Sequence, residues 1–177
     1  MKPSNERSHE VLPDAVTRST LHELLSAGLA WPAEYAEGLS NHLPMALHAL
    51  DRLGADGQRL RQFVRGYTER FASPTTGGSV APLSDWLPHR GRYDALPALQ
   101  ATFAEALDRD APRTVLSRTV PHLMSGVGAA AFNGLLRAAH AFEAGHGGEL
   151  AHGLAYWAAR WLPLAKRSEE RRVGKEC

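Results

Sequence analysis

Three polar side chains interrupt the run AAFNGLLRAAH (residues 130–140): Asn133, Arg137 and His140. An asparagine amide both donates and accepts hydrogen bonds, a guanidinium clamps carboxylates and other oxyanions, and an imidazole moves protons or ligates metals. On a helix at about 100° per residue the three fall within about 60° of one another, a single stripe. Arg137 is the one charged side chain between Val120 and Phe142, whereas solvent faces normally carry lysine, glutamate and aspartate. The stripe is therefore expected to face an internal cavity and to find polar partners there. Phe132, Leu135, Leu136, Ala139 and Phe142 are expected to face the core. A third arc of small residues, Ala130, Gly134, Ala138 and Ala141, suits close packing of another helix. Residues seven apart stand about 10 Å apart along a helix axis, while metal ligands from one helix usually come at i, i+3 or i, i+4. Asn133 and His140 thus line a pocket more readily than they chelate one ion.

The chain has nine histidines, and three of them stand in Glu-x-x-His pairs: Glu6 and His9, Glu143 and His146, Glu149 and His152. That pair is the building block of di-iron helix bundles, which need two such pairs and two further inward carboxylates. Here one pair lies in the loose N-terminus and the other two straddle a glycine break, so exposed pairs near helix ends are the stronger expectation. No Gly-x-Gly-x-x-Gly follows a strand, SGVGAAA (residues 125–131) lacks the lysine and threonine of a phosphate loop, and no Gly-x-Ser-x-Gly turn is present.

The elements that must position these residues are helices. Leu21, Leu24 and Leu25 share one face of a first helix near residues 14–27, although TLHE (residues 20–23) has the form of a capping box and offers a rival start. In EGLSNHLPMALHALDRLGADG, Ser40 or Asn41 can cap, Pro44 fits a first turn and Gly54 a C-terminus. Asp56 opens a third helix over about residues 57–71. Residues 72–97 hold four prolines and three glycines and form the longest irregular stretch, which Trp86 can pin to the body. Helices follow near residues 98–108, 113–120 and 126–144, and GHGG (residues 145–148) breaks the last of these. A final helix over residues 149–162 places Leu150, Leu154, Trp157 and Trp161 on a buried stripe. No stretch of alternating β-branched residues occurs, so the expected class is all-α: a multi-helix orthogonal or bundle-like array with no sheet.

The tail RSEERRVGKEC (residues 167–177) matches, residue for residue, the in-frame translation of a widely used sequencing adapter, and is read as a non-native tail outside the fold. Setting it aside removes the single cysteine, Cys177, and leaves sixteen basic and sixteen acidic side chains. Neither a thiol nucleophile nor a basic nucleic-acid surface is then expected. Residues 1–13 read as a flexible lead-in and 14–166 as one helical domain. Neither a leader segment nor an apolar run of about 18 residues is apparent, so a cytoplasmic protein with no membrane partner is expected. The alanine- and arginine-rich composition fits a high-GC bacterial source.

The order LSNHLPMALHALDRLGA, a helix ending in YTERF, a Trp-bearing loop, and then VPHLMSGVGAAAFNGLLRAAHAFEAG and ELAHGLAYWAARWL resembles the questin oxidase-like family over most of residues 31–164. The blocks SNHLPMAL and GVGAAAFNGLLRAAHA carry the likeness together. The resemblance implies an all-helical oxidoreductase that oxygenates or oxidatively opens a polycyclic aromatic or related small molecule, with NADPH as reductant and, in part of the family, histidine-bound non-haem iron. It also implies that residues 14–166 are the N-terminal portion of a larger domain. By this likeness His42 and His140 are the expected catalytic and metal-ligating residues, and Asn41, Asn133 and Arg137 the expected substrate-binding residues. At position 133 the family usually has histidine, in Ala-Phe-His-Gly-Leu-Ile-Arg. Asparagine binds a substrate oxygen but is a poor iron ligand and no general base near neutral pH. The rival expectation is a helical binding or interaction module without chemistry, in which His42, Asn133 and His140 point in unrelated directions.

Overall fold

A computed structural model describes residues 15–74 and 78–163; the expected lead-in and adapter-like tail, and the Glu6–His9 pair, lie outside the described residues. The described chain is all-α, with seven α-helices packed together and one two-stranded ribbon. That ribbon, β1 (Glu34–Tyr35) paired antiparallel with β2 (Leu39–Ser40), corrects the expectation of no sheet. Its turn turns on local backbone: Ala36 and Glu37 have φ of 41° and 62°, and Gly38 completes it at 109°.

Helix α1 (Ala15–Gly28), α2 (Leu43–Arg52) and α3 (Gly57–Thr68) enclose a first core of Leu21, Leu25, Leu43, Leu47, Leu60, Tyr67 and Phe71. TLHE lies inside α1 and starts nothing. Pro44 occupies the first turn of α2, and Gly54, with φ of 85°, follows its end, as the punctuation predicts. The Asp56 carboxylate caps α3 by accepting the Arg59 N–H at 2.8 Å. The second core joins α4 (Leu96–Arg109), α5 (Pro112–Leu123), α6 (Asn133–Ala144) and α7 (Gly147–Ala159), with Leu99, Phe103, Leu123, Leu150, Leu154 and Trp157 at its centre. In the long irregular stretch Trp86 packs on Phe103 at 5.2 Å, the expected pin.

Helix α7 is buried on almost all sides from Glu149 to Ala159, as befits a helix apolar all round. Its tightest neighbour is α6. A Cβ built on Gly153 would stand 2.7 Å from the Ala138 nitrogen, and one built on Gly134 would stand 2.6 Å from the Trp157 Cα. The small-residue arc therefore does what its composition predicts. The supposed core face of this helix does so only in part: Leu135 and Phe142 pack half-buried against the second core, whereas Phe132 and Leu136 are 51 % and 45 % exposed, and Gly134, Arg137, Ala138 and Ala141 are buried. The reason is that close approach to α7 buries the face with the least side chain, and this leaves Phe132 and Leu136 facing outward. The helix also begins seven residues later than predicted. Residues 124–126 form a 3-10 turn, and Ala130, Ala131 and Phe132 take left-handed φ of 49°, 52° and 66° before α6 starts.

No helix among the described residues is long and apolar enough to cross a membrane.

Candidate functional site

The ribbon, the start of α2, the left-handed stretch before α6 and the end of α7 meet around a cavity of about 510 Å³. Its polar lining is Glu34, Ser40, His42, Asn133 and Arg160, and Leu39, Ala130 and Ala131 supply apolar wall. Among the described residues, the five non-glycine residues with positive φ lie in the two loops that border it. Each left-handed L-residue costs roughly 1–2 kcal/mol. Strain of this kind persists where the surrounding structure over-determines it, and it clusters at ligand sites.

Glu34 anchors the cavity wall. Arg160 donates from Nε to its Oε1 at 2.7 Å and from Nη2 to Oε2, and the Tyr156 hydroxyl donates to Oε1 at 2.8 Å. Ser40 Oγ lies 2.8 Å from the same Tyr156 oxygen. Arg160 also stacks over the Tyr93 ring at 3.9 Å. Burial, with the Glu34 charge beside it, keeps the Tyr156 phenol well above its ordinary value, and the hydrogen bonds to Glu34 raise the Arg160 guanidinium.

The predicted site residues divide between this cavity and elsewhere. His42 immediately precedes α2; its backbone N–H donates to the Tyr67 hydroxyl at 3.0 Å, and the exposed residue lines the cavity. Asn133 lines it too, with Nδ2 donating to the Ala130 carbonyl at 2.7 Å. Asn41 is buried beside the cavity rather than on it: Nδ2 donates to the Pro32 carbonyl and Oδ1 accepts the Leu43 N–H, both at 2.9 Å, tying the ribbon to α2. Arg137 does not reach the cavity lining. It is buried and forks onto Glu149, from Nε to Oε1 and from Nη2 to Oε2 at 3.1 Å, each side chain only 2 % exposed. His140 meets His48 instead of His42, their Nδ1 atoms 2.9 Å apart and their rings edge-to-face at 5.2 Å. One of these two nitrogens carries the hydrogen that the other accepts. Burial, followed by the neighbouring His140, lowers the His48 pKa. The polar stripe is thus internal in part, but its members serve three different places.

Three lining residues were not anticipated, Glu34, Ser40 and Arg160, and neither was Tyr156, which is buried behind them. Tyr156 and Arg160 did leave a trace, since i, i+4 spacing across the apolar C-terminal end of α7 puts both on one face. Glu34 and Ser40 left none, because a two-residue ribbon has no periodicity to read.

Among the described residues no three His, Cys, Asp or Glu side chains converge as a set able to hold a metal ion. The two Glu-x-x-His pairs among the described residues follow the same rule. His146 caps α7 by accepting the Glu149 N–H on Nδ1 at 2.9 Å, its Nε2 lies 2.9 Å from Ser26 Oγ, and the Glu149 carboxylate is committed to Arg137.

Away from the cavity, His152 gives the fold a pH dependence. Its Nδ1 faces Gln100 Nε2 at 3.3 Å and so accepts, which requires the neutral ring. Burial, then the charges of Arg137 and His146, push it down to about 3. The unfolded chain takes up this proton first, near its ordinary value of about 6.5. Stability from this group is complete above that pH and is lost as pH falls toward about 3, a loss on the order of a few kcal/mol. Urea midpoints measured down that range should fall less steeply for His152→Leu than for the parent chain; superimposable profiles would refute the assignment.

No protein-family model matches the chain, and comparison with curated proteins and with solved structures finds no match either.

Proposed function

We propose that the chain holds an oxygenated aromatic small molecule in the cavity between the ribbon and the start of α6, as the substrate-binding part of an oxidoreductase of the questin oxidase-like type. One observation carries the reading. The two sequence blocks that bear the likeness lie some ninety residues apart, yet His42 from one and Asn133 from the other line a single cavity. Asn133 takes the place of the family's usual histidine and supplies an amide oxygen toward the ligand rather than a base. Ala130 and Ala131, held left-handed, bring small side chains to the wall where a flat ring can approach.

Non-haem iron and NADPH, which the likeness implies, do not fit the residues in place. His42 lines the cavity without a second imidazole, and the His140 ring is engaged by His48. Two nitrogens of Arg160, the one guanidinium on the cavity lining, are committed to Glu34, which leaves a dinucleotide's phosphates poorly served.

Calorimetric titration of a naphthol into the full chain tests the reading. Saturable binding is expected, with His42→Ala and Asn133→Leu each weakening it about tenfold, equivalent to about 1.4 kcal/mol. Ala131→Trp, which fills the cavity, is expected to abolish binding, and His140→Ala to leave it unchanged. Equal sensitivity to His140→Ala and Asn133→Leu would sink the assignment. The reading of a binding module without chemistry is favoured by the separation of His140 from His42, but not by Trp157, which is buried where that reading needs the aromatic faces of Trp157 and Trp161 exposed to a partner; oxygen consumption with NADPH and a bound ligand decides between the two.

A further inference from the structure

Hydrogen-bond polarity around the cavity is fixed from its buried side outward. Glu34, forked by Arg160, is a carboxylate and only accepts. The phenol of Tyr156 has a single hydrogen, and that hydrogen goes to Glu34. The contact between Ser40 and Tyr156 must then run the other way, with the Ser40 hydroxyl donating and the Tyr156 oxygen accepting. Ser40 is left with lone pairs and no hydrogen to offer the cavity. Asn133 is oriented by a shorter route. The Ala130 carbonyl can only accept, so the amide nitrogen faces it with one of its two hydrogens and Oδ1 is left as an acceptor for a ligand. On the donor side the lining retains the second Nδ2 hydrogen of Asn133, the guanidinium hydrogens of Arg160 not given to Glu34, and the ring of His42, which leaves Ser40 as the lining group that can only accept.

Resting on the cavity reading above, we propose that this site selects a ligand by its hydroxyl hydrogens: Ser40 and Asn133 accept O–H groups on a flat apolar body, and Tyr156 is the positioning residue that sets the polarity of Ser40. The body lies against Leu39, Ala130 and Ala131. An ether or carbonyl in place of the hydroxyl brings lone pair against lone pair, and a buried acceptor without a donor is penalised. The hydroxyl can be phenolic or alicyclic, and the chemistry at Ser40 is the same for both.

The test compares naphthol, its methyl ether methoxynaphthalene, and the saturated alcohol decalinol by calorimetry on the full chain. Naphthol is expected to bind about tenfold more tightly than its ether, or about 1.4 kcal/mol. In Tyr156→Phe the Ser40 hydroxyl loses its acceptor and is free to turn toward the cavity and donate. The naphthol-to-ether preference should then fall several-fold, through a gain for the ether as well as a loss for naphthol. Ser40→Ala should weaken naphthol and, by removing the opposed lone pair, strengthen the ether. A merely structural role for Tyr156 would shift both ligands together and leave the ratio alone. Comparable naphthol and ether affinities in the parent chain overturn the proposal, as does a ratio unmoved by Tyr156→Phe. Should that variant fail to fold, Ser40→Ala supplies the same ratio. Decalinol binding as tightly as naphthol assigns the site to alcohols in general, and its failure assigns the site to phenols; either supports the polarity argument. If neither naphthol nor its ether binds, the cavity reading itself falls and takes this inference with it, whereas equal binding of the two removes only the inference.

Discussion

Arg137→Leu is expected to destabilise the fold by about 3–5 kcal/mol, the range for removing one partner of a buried ion pair. The guanidinium and the Glu149 carboxylate are both sealed from solvent and bound in a fork. Leucine leaves Glu149 charged in an apolar setting at the first turn of α7, with only the helix dipole to favour it, and that dipole contributes no more than about 1–2 kcal/mol. The double variant Arg137→Leu, Glu149→Leu removes both charges and is expected to recover most of the loss, since a buried pair replaced by apolar side chains is often neutral. Urea denaturation followed by circular dichroism measures both. A double variant as unstable as the single one would show that the pair contributes more than mutual cancellation of charge.

Gly153→Ala is the second large effect, at about 3 kcal/mol, the upper part of the range for overpacking. Alanine in place of a mid-helix glycine is ordinarily worth close to 1 kcal/mol in favour of the helix. Here the new methyl meets the Ala138 nitrogen at 2.7 Å, a backbone atom that moves only if α6 moves. Helix separation would then weaken the fork between Arg137 and Glu149, because it spans the same two helices. Gly147→Ala is the internal control, since nothing lies within 4 Å of a Cβ at that position in the same helix. It is expected to be neutral or slightly stabilising. Thermal midpoints of the two variants should diverge; equal shifts would mean that backbone propensity and not the close approach governs this helix.

Both effects bear on how far the fold is legible in the sequence. Caps and breakers act over one turn of chain, so Pro44, Gly54, Asp56 and Gly145 mark their helices correctly. The small arc of Gly134, Ala138 and Ala141 signals close helix packing because only small side chains permit it, and the partner supplies Gly153 at the same contact. The start of α6 was misplaced because helix propensity favours Ala129–Phe132, while the tertiary arrangement holds three of those residues left-handed. The reading of the polar stripe as internal holds fully at Arg137, which is buried, and in part at Asn133 and His140, which are half-buried. Its scarcity of neighbouring charge carried that inference, but not the identity of the partner.

The candidate site was legible only in pieces. His42 is implied by the family likeness and Asn133 by its place in the polar stripe together with that likeness, whereas Glu34 and Ser40 became relevant once the ribbon brought them beside Tyr156 and Arg160, more than a hundred residues away. His140 was expected near His42 and instead meets His48, ninety-two residues distant in the chain.

The sequence by itself determined the all-helical class, most helix ends and the small face along which α6 meets α7. Those properties follow from the 3.6-residue period, from glycine and proline, and from side-chain volume, all of which act locally. Only the tertiary structure decided which polar residues share a space. Hydrogen bonds and ion pairs form over about 3 Å between groups that the chain separates by tens of residues. Their pairing depends on how tightly two glycines let helices approach and where a left-handed turn redirects the backbone, and neither quantity is written in the spacing of Asn133, Arg137 and His140.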